Sequence, residues 1–136
     1  MKMSPKRSLC ILCIDDDEQI LEMMKDCLTN YEHRVKVASG GKYGIELFRT
    51  AILKSEPYEV VITDLGMPDI DGYHVARTIK AESPNTPVIM MTGWGTTMRD
   101  DGETASEVDA VIGKPPCMQE LNDLILRITT PPQDRA

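Results

Sequence analysis

Leu9-Cys10-Ile11-Leu12-Cys13-Ile14, followed at once by Asp15-Asp16-Asp17, is the stretch that decides how this chain folds. The apolar run does not alternate, which predicts a strand buried on both faces, as in a parallel sheet covered by helices. Three acidic residues end the run abruptly. Asp17 then stands where an N-cap is needed for the next segment, whose Ile20, Leu21, Met23, Met24, Cys27 and Leu28 fall at helical spacing. That helix is expected to end near Asn30.

The same strand-then-helix alternation recurs along the chain. Val35 to Ala38 reads as a second strand, broken by Ser39-Gly40-Gly41 before a helix with Ile45, Leu47, Phe48, Ala51 and Ile52 on its apolar face, its end marked by Pro57. Tyr58 to Thr63 is a third strand, and Gly66, Pro68 and Gly72 turn the chain into a helix carrying Val75, Ala76 and Ile79. Val88 to Met91 and Ala110 to Ile112 are the fourth and fifth strands. Met118, Leu121, Leu124, Ile125 and Ile128 stripe a final helix stopped by Pro131-Pro132. Gly95 to Asp109 has poor helix propensity and little apolar face, so a short or mobile fourth helix is expected there. Five β-α units in succession predict a five-stranded, doubly wound parallel α/β sheet with helices on both faces.

Composition narrows the function. The 136 residues suit a single domain, 1–136, with a core from about 8 to 130 and flexible tails at 1–7 and 131–136. Hydrophobic residues at 41% and charged residues at 27% are those of a globular chain, not a disordered one. A net charge of −7, with no run of Lys or Arg, argues against direct nucleic-acid binding. The apolar run from Leu9 is too short for a signal peptide or a membrane span, so a cytoplasmic location away from the membrane is expected. Cys10 and Cys13 form a C-x-x-C, but their odd separation within a strand puts the side chains on opposite faces. They read as small core hydrophobes in a reducing compartment rather than as a metal or redox site.

In such a sheet ligands collect beyond the carboxyl ends of the strands. The first strand ends in Asp15-Asp16-Asp17, the third in Asp64, the fourth in Thr92-Gly93 and the fifth in Lys114-Pro115. Taken singly, each has a plain explanation: a helix cap, a turn, a loop start, a surface lysine. Together they converge on one edge of the sheet. Clustered carboxylates repel unless a hard divalent cation neutralises them, and oxygen-only ligands favour Mg2+, Ca2+ or Mn2+ over Zn2+, with Mg2+ the first choice among them. A lysine and a hydroxyl beside that cation can hold the oxygens of a transferring phosphoryl group, and Asp64, alone at its strand end, is placed to be the nucleophile.

These motifs closely resemble the receiver domain of bacterial response regulators, across Ser8 to about Thr129. They are Ile11 to Asp17, Val60 to Gly72, Met91-Thr92-Gly93 and Gly113-Lys114-Pro115, with 28 residues from Asp64 to Thr92 and 22 from Thr92 to Lys114. The resemblance implies a flavodoxin-like sheet of strand order 2-1-3-4-5. It implies a phosphoryl group accepted on Asp64 from a sensor histidine kinase or histidine phosphotransfer protein, followed by contacts with a downstream protein. By the same carry-over Asp16, Asp64 and the Gly66 carbonyl bind Mg2+ directly and Asp15 through water. Thr92 and Lys114 grip the phosphoryl oxygens, and Lys114-Pro115 is a cis peptide. Such a domain catalyses only its own phosphorylation and dephosphorylation, which is not enzymatic turnover. Receivers of this kind often pair through the last helix and fifth strand, so a homodimer is a further expectation.

The sequence departs from the family at Val111, where an aromatic residue usually rotates on activation, and at Pro116, where an aromatic is commoner. Alternative readings are a receiver belonging to a hybrid histidine kinase and a phosphorylation-incompetent pseudo-receiver. An aspartyl-phosphate phosphohydrolase would need a substrate pocket or cap, for which no long strand-end insertion is available. In the family, the positions of Gly66 and Trp94 influence phosphoaspartate lifetime; the expectation here is that Gly66 leaves room for an attacking water and Trp94 covers it, the alternative being that Trp94 is an exposed loop aromatic or a partner contact. Replacing Trp94 by Ala is therefore expected to change the dephosphorylation rate of the phosphorylated protein, and an unchanged rate would sink the idea.

Overall fold

The structure, a computed structural model, describes residues 8–93 and 108–130. Its elements are β1 (Cys10–Ile14), α1 (Glu18–Asn30), β2 (Arg34–Ala38), α2 (Gly41–Leu53), β3 (Val60–Asp64), α3 (Gly72–Glu82), β4 (Val88–Thr92), β5 (Ala110–Gly113) and α4 (Met118–Thr129). The tails, Trp94 and residues 95–107 of the segment expected to form a helix between the last two strands lie outside the described residues.

All strands are parallel, in the order β2-β1-β3-β4-β5. The unbroken apolar runs of β1, β3 and β4 occupy the centre and feed both faces of the sheet. Ile11 and Cys13 of β1, with Ile62, Ile89 and Met91, pack under Leu21, Met24 and Leu28 of α1 and Leu121 and Ile125 of α4. Leu12, Ile14 and Val61 face the other way, against Ile45 and Phe48 of α2 and Val75, Ala76 and Ile79 of α3. This is the doubly wound arrangement that the alternating pattern predicts. The close seating of α2 on β1 depends on Gly44, where a Cβ would come within 2.4 Å of Ile14 Cδ1.

Some details differ from the sequence reading. The third strand begins two residues later than expected, at Val60, because its ladder partner Ile11 sets the start of pairing with β1. It runs on to include Asp64, which pairs with Met91. Ile52, assigned to the apolar face of α2, is 40% exposed, whereas Ala51 beside it is buried. Val111 is equally exposed, on the edge strand β5.

A buried polar connection joins residues far apart in the sequence. Leu9 N–H donates to His33 Nδ1 at 3.1 Å, which leaves Nε2 to carry the proton and donate to Asn122 Oδ1 at 2.7 Å. Asn122 sits on the apolar stripe of α4, and this network satisfies it while tying α4 to the starts of β1 and β2.

No helix among the described residues is long and apolar enough to cross a membrane. Cys13 has no exposed surface, and burial first, then the nearby Asp15 charge, push its thiol up to about 12. Cys117 is exposed at the start of α4. Because the thiolate is the reactive form, brief alkylation near pH 8 should label Cys117 and spare Cys13 until the protein unfolds, as read by peptide mass spectrometry. Labelling of Cys13 at the rate of Cys117 would contradict this packing.

Candidate functional site

Strand register assembles the site. Ile14 lies opposite Ala38 on one side and Thr63 on the other, so the next residue of the first chain segment, Asp15, emerges beside Asp64. Asp64 pairs with Met91, and Thr92 with Gly113, so Thr92 and Lys114 emerge one step further along the same edge. Asp15 N–H donates to Ala38 O at 3.1 Å and Leu65 N–H to Met91 O at 3.0 Å, extending the ladders past the strand ends. Asp15 Oδ1 accepts the Asp17 N–H at 2.9 Å, and Asp17 Oδ1 accepts the Gln19 N–H at 3.0 Å, so the acidic triplet serves both as cap and as site.

Lys114 stands between the two buried carboxylates: Nζ lies 2.9 Å from Asp15 Oδ2 and 3.1 Å from Asp64 Oδ1. Asp15 is 0% exposed and Asp64 4%, whereas Asp16, next to them, is open to solvent. One oxygen each from Asp15, Asp16 and Asp64 lie within 4.8 Å of one another. The Lys114–Pro115 peptide is cis. Gly66 lies on the turn just beyond Asp64, where a Cβ would meet nothing within 4 Å among the described residues.

The electrostatics are those of a crowded anionic pocket. Burial raises the Asp15 carboxyl above the usual range, although the Asp17 amide and Lys114 pull the other way and the Asp64 charge adds to the rise. Burial likewise raises Asp64, against the pull of Lys114. For Lys114, burial disfavours the ammonium, but its contacts with Asp15 and Asp64 outweigh that and raise it above 10.5. Asp15 Oδ2 is buried and accepts no hydrogen bond; its approach to Nζ is an ion pair without hydrogen-bond alignment. An under-satisfied buried carboxylate oxygen, two more carboxylates beside it and no nitrogen or sulfur donors among them fit a hard divalent cation.

All the site residues expected from the sequence stand at this one edge, apart from Trp94, which is outside the described residues. The family described as response regulator receiver domain matches residues 11–126. This chain belongs to that family.

Its similarity to individual receivers is moderate. A receiver domain protein from Clostridium thermocellum is 30% identical, covers 89% of this chain and 94% of its own, and superposes with a TM-score of 0.78. A probable cyclic di-GMP phosphodiesterase of Vibrio cholerae is 35% identical over 96 residues, 68% of this chain. The cell cycle response regulator CtrA of Brucella ovis is 30% identical over 83 residues, 61% of this chain. The receiver spans 20% of the Vibrio protein's length and 34% of the Brucella protein's.

Sequence reading treated Gly72 as a turn residue, but its role is steric. A Cβ there would lie 2.4 Å from Asp64 O, so only glycine lets α3 start directly against the strand end that carries Asp64. Asp69, whose carboxylate accepts the Gly41 and Lys42 amides at the start of α2, was missed as well. The one available signal was Gly40-Gly41 before a helix that has no Ser, Thr, Asn or Asp at its N-cap.

Raised carboxyl pKa values mean that the folded, metal-free protein holds protons more tightly than the unfolded chain, so its stability falls as pH rises from the ordinary carboxylate range through the raised values. Asp15→Asn keeps an Oδ1 acceptor for the Asp17 amide while removing the buried charge. Without metal near pH 7 it should melt higher, by roughly 3 °C for about 1 kcal/mol, and its stability should decline less steeply with pH. A lower melting temperature than the wild type would contradict this.

Proposed function

We propose that this receiver is a Mg2+-dependent phosphoacceptor switch that takes a phosphoryl group on Asp64 from a sensor histidine kinase or histidine phosphotransfer protein. The observation that carries the reading is the placement of Lys114 Nζ, 2.9 Å from Asp15 and 3.1 Å from Asp64, at the carboxyl edge of a parallel sheet. Asp15, Asp16 and Asp64, with the Gly66 carbonyl, would hold Mg2+, which when bound supplies positive charge against the phosphoryl oxygens and relieves the repulsion among the carboxylates.

The chain's own residues then divide the work. A carboxylate oxygen of Asp64 attacks phosphorus, the O–P bond forms as the P–N bond to the donor imidazole breaks, and that nitrogen leaves with the bonding electron pair. Lys114 loses its carboxylate partner on Asp64 as that group becomes an acyl phosphate, and its ammonium turns to a phosphoryl oxygen. Thr92, at the end of β4, donates its hydroxyl to another. Gly66 and Gly93 keep side chains out of the space the phosphoryl group and its attacking water need. The domain turns over no external substrate and acts in the cytoplasm through a downstream protein. Val111, exposed on β5, lacks the aromatic bulk for a rotating switch, so output through that face uses smaller packing changes.

The test is the intact mass of the purified protein after incubation with Mg2+ and acetyl phosphate, beside Asp64→Asn. A single added phosphoryl group, absent without Mg2+ and absent in the variant, is the expected result. If acetyl phosphate gives no adduct and beryllofluoride with Mg2+ leaves the protein unperturbed, the phosphoacceptor reading fails and a pseudo-receiver takes its place.

A further inference from the structure

The turn between β3 and α3 carries Gly66, and most of its anchors run to the sheet or to α3. Leu65 N–H donates to Met91 O, Gly72 N–H donates to Leu65 O at 2.7 Å, and Met67 is buried among the side chains under α2 and α3. Asp71 Oδ1 accepts the His74 N–H at 2.9 Å and caps α3. Asp69 reaches instead across to α2. Its Oδ1 accepts the Gly41 N–H at 3.2 Å and its Oδ2 the Lys42 N–H at 2.9 Å.

The two surfaces are fitted to each other. α2 has no side-chain cap of its own, because its N-cap is Gly40, and a Cβ on Gly40 would stand 3.2 Å from Asp69 Oδ2. Ile70 occupies the space that a Cβ on Gly41 would need, at 2.5 Å. The Lys42 amide is the main reason the exposed Asp69 carboxyl sits below its ordinary range. Gly66, by contrast, has no side chain to pack and open space where one would be, so its position is set by how its neighbours in the turn are tied down.

We propose that Asp69 is a positioning residue for the metal site: by bridging the β3–α3 turn to the first amides of α2, it holds the Gly66 carbonyl in place for the divalent cation. The inference rests on the reading of Gly66 as a metal ligand. It also makes α2 a reporter of the site, because a bridge that favours cation binding must itself be steadied by the cation.

Amide-resolved NMR on the isotope-labelled protein tests both directions, with Mg2+ alone as the probe. Asp69→Ala should raise the Mg2+ Kd by about tenfold, the scale seen when groups orienting metal ligands are removed. Asp69→Asn, whose single acceptor oxygen can hold one of the two amides, should fall between. In the wild type, Mg2+ should slow hydrogen exchange at Gly41 and Lys42, and in Asp69→Ala it should not. Glu59→Ala is the control: Glu59 Oε1 accepts the Cys10 N–H at 2.8 Å at the far end of the sheet, so its loss should leave the Kd unchanged. An Asp69→Ala Kd within about twofold of the wild type, or an equal weakening by Glu59→Ala, overturns the proposal. Failure of the wild type to bind Mg2+ at all overturns instead the metal-site reading on which it rests.

Discussion

Two carboxylates, Asp15 and Asp64, are buried side by side at the end of a parallel sheet with one ammonium between them. Left to themselves they would repel, and burial withdraws the water that would screen them. Lys114 compensates only in part, since both carboxyls remain raised despite it. The fold therefore holds a local electrostatic imbalance of the kind a divalent cation would relieve, and such imbalance concentrates where chemistry occurs.

Holding that imbalance in place takes a rigid frame. The central strands supply it through apolar runs buried on both faces, with α1 and α4 covering one side and α2 and α3 the other. Parallel register does the positioning, because it brings the residues after Ile14, Met91 and Gly113 out along one edge beside Asp64. Close approaches tune it: Gly72 lets α3 begin against the carbonyl of Asp64, and Gly44 lets α2 sit on Ile14. At the opposite end of the sheet, Asp109 Oδ2 receives both Lys80 Nζ and the Val88 N–H at 2.7 Å, which ties the starts of β4 and β5 to α3. The carboxyl edge thus gathers unbalanced charge, while the far edge is closed by satisfied polar contacts.

Much of this was legible in the sequence. Unbroken apolar runs at Leu9–Ile14 and Val60–Ile62 announced parallel strands, helical spacing in α1 and α4 announced their covering faces, and the acidic and basic residues at strand ends announced the site. What could not be read was contact at long sequence separation between residues with ordinary local explanations. His33 and Asn122 read as a polar residue near a turn and a polar position on an apolar stripe, and neither names the other across 89 positions. Asp69 reads as one more turn aspartate until the Gly41 and Lys42 amides are seen against it. Strand limits shifted by a residue or two because pairing partners, rather than intrinsic propensity, decide where a ladder begins.

The most direct measurement of the central claim is a crystal structure of the protein with Mg2+ and beryllofluoride. The account predicts beryllium on an Asp64 oxygen, Lys114 Nζ turned from Asp64 to a fluorine, and Mg2+ among the oxygens of Asp15, Asp16, Asp64 and Gly66. Beryllofluoride bound elsewhere, or Mg2+ coordinated away from these carboxylates with Lys114 still bridging Asp15 and Asp64, would contradict it.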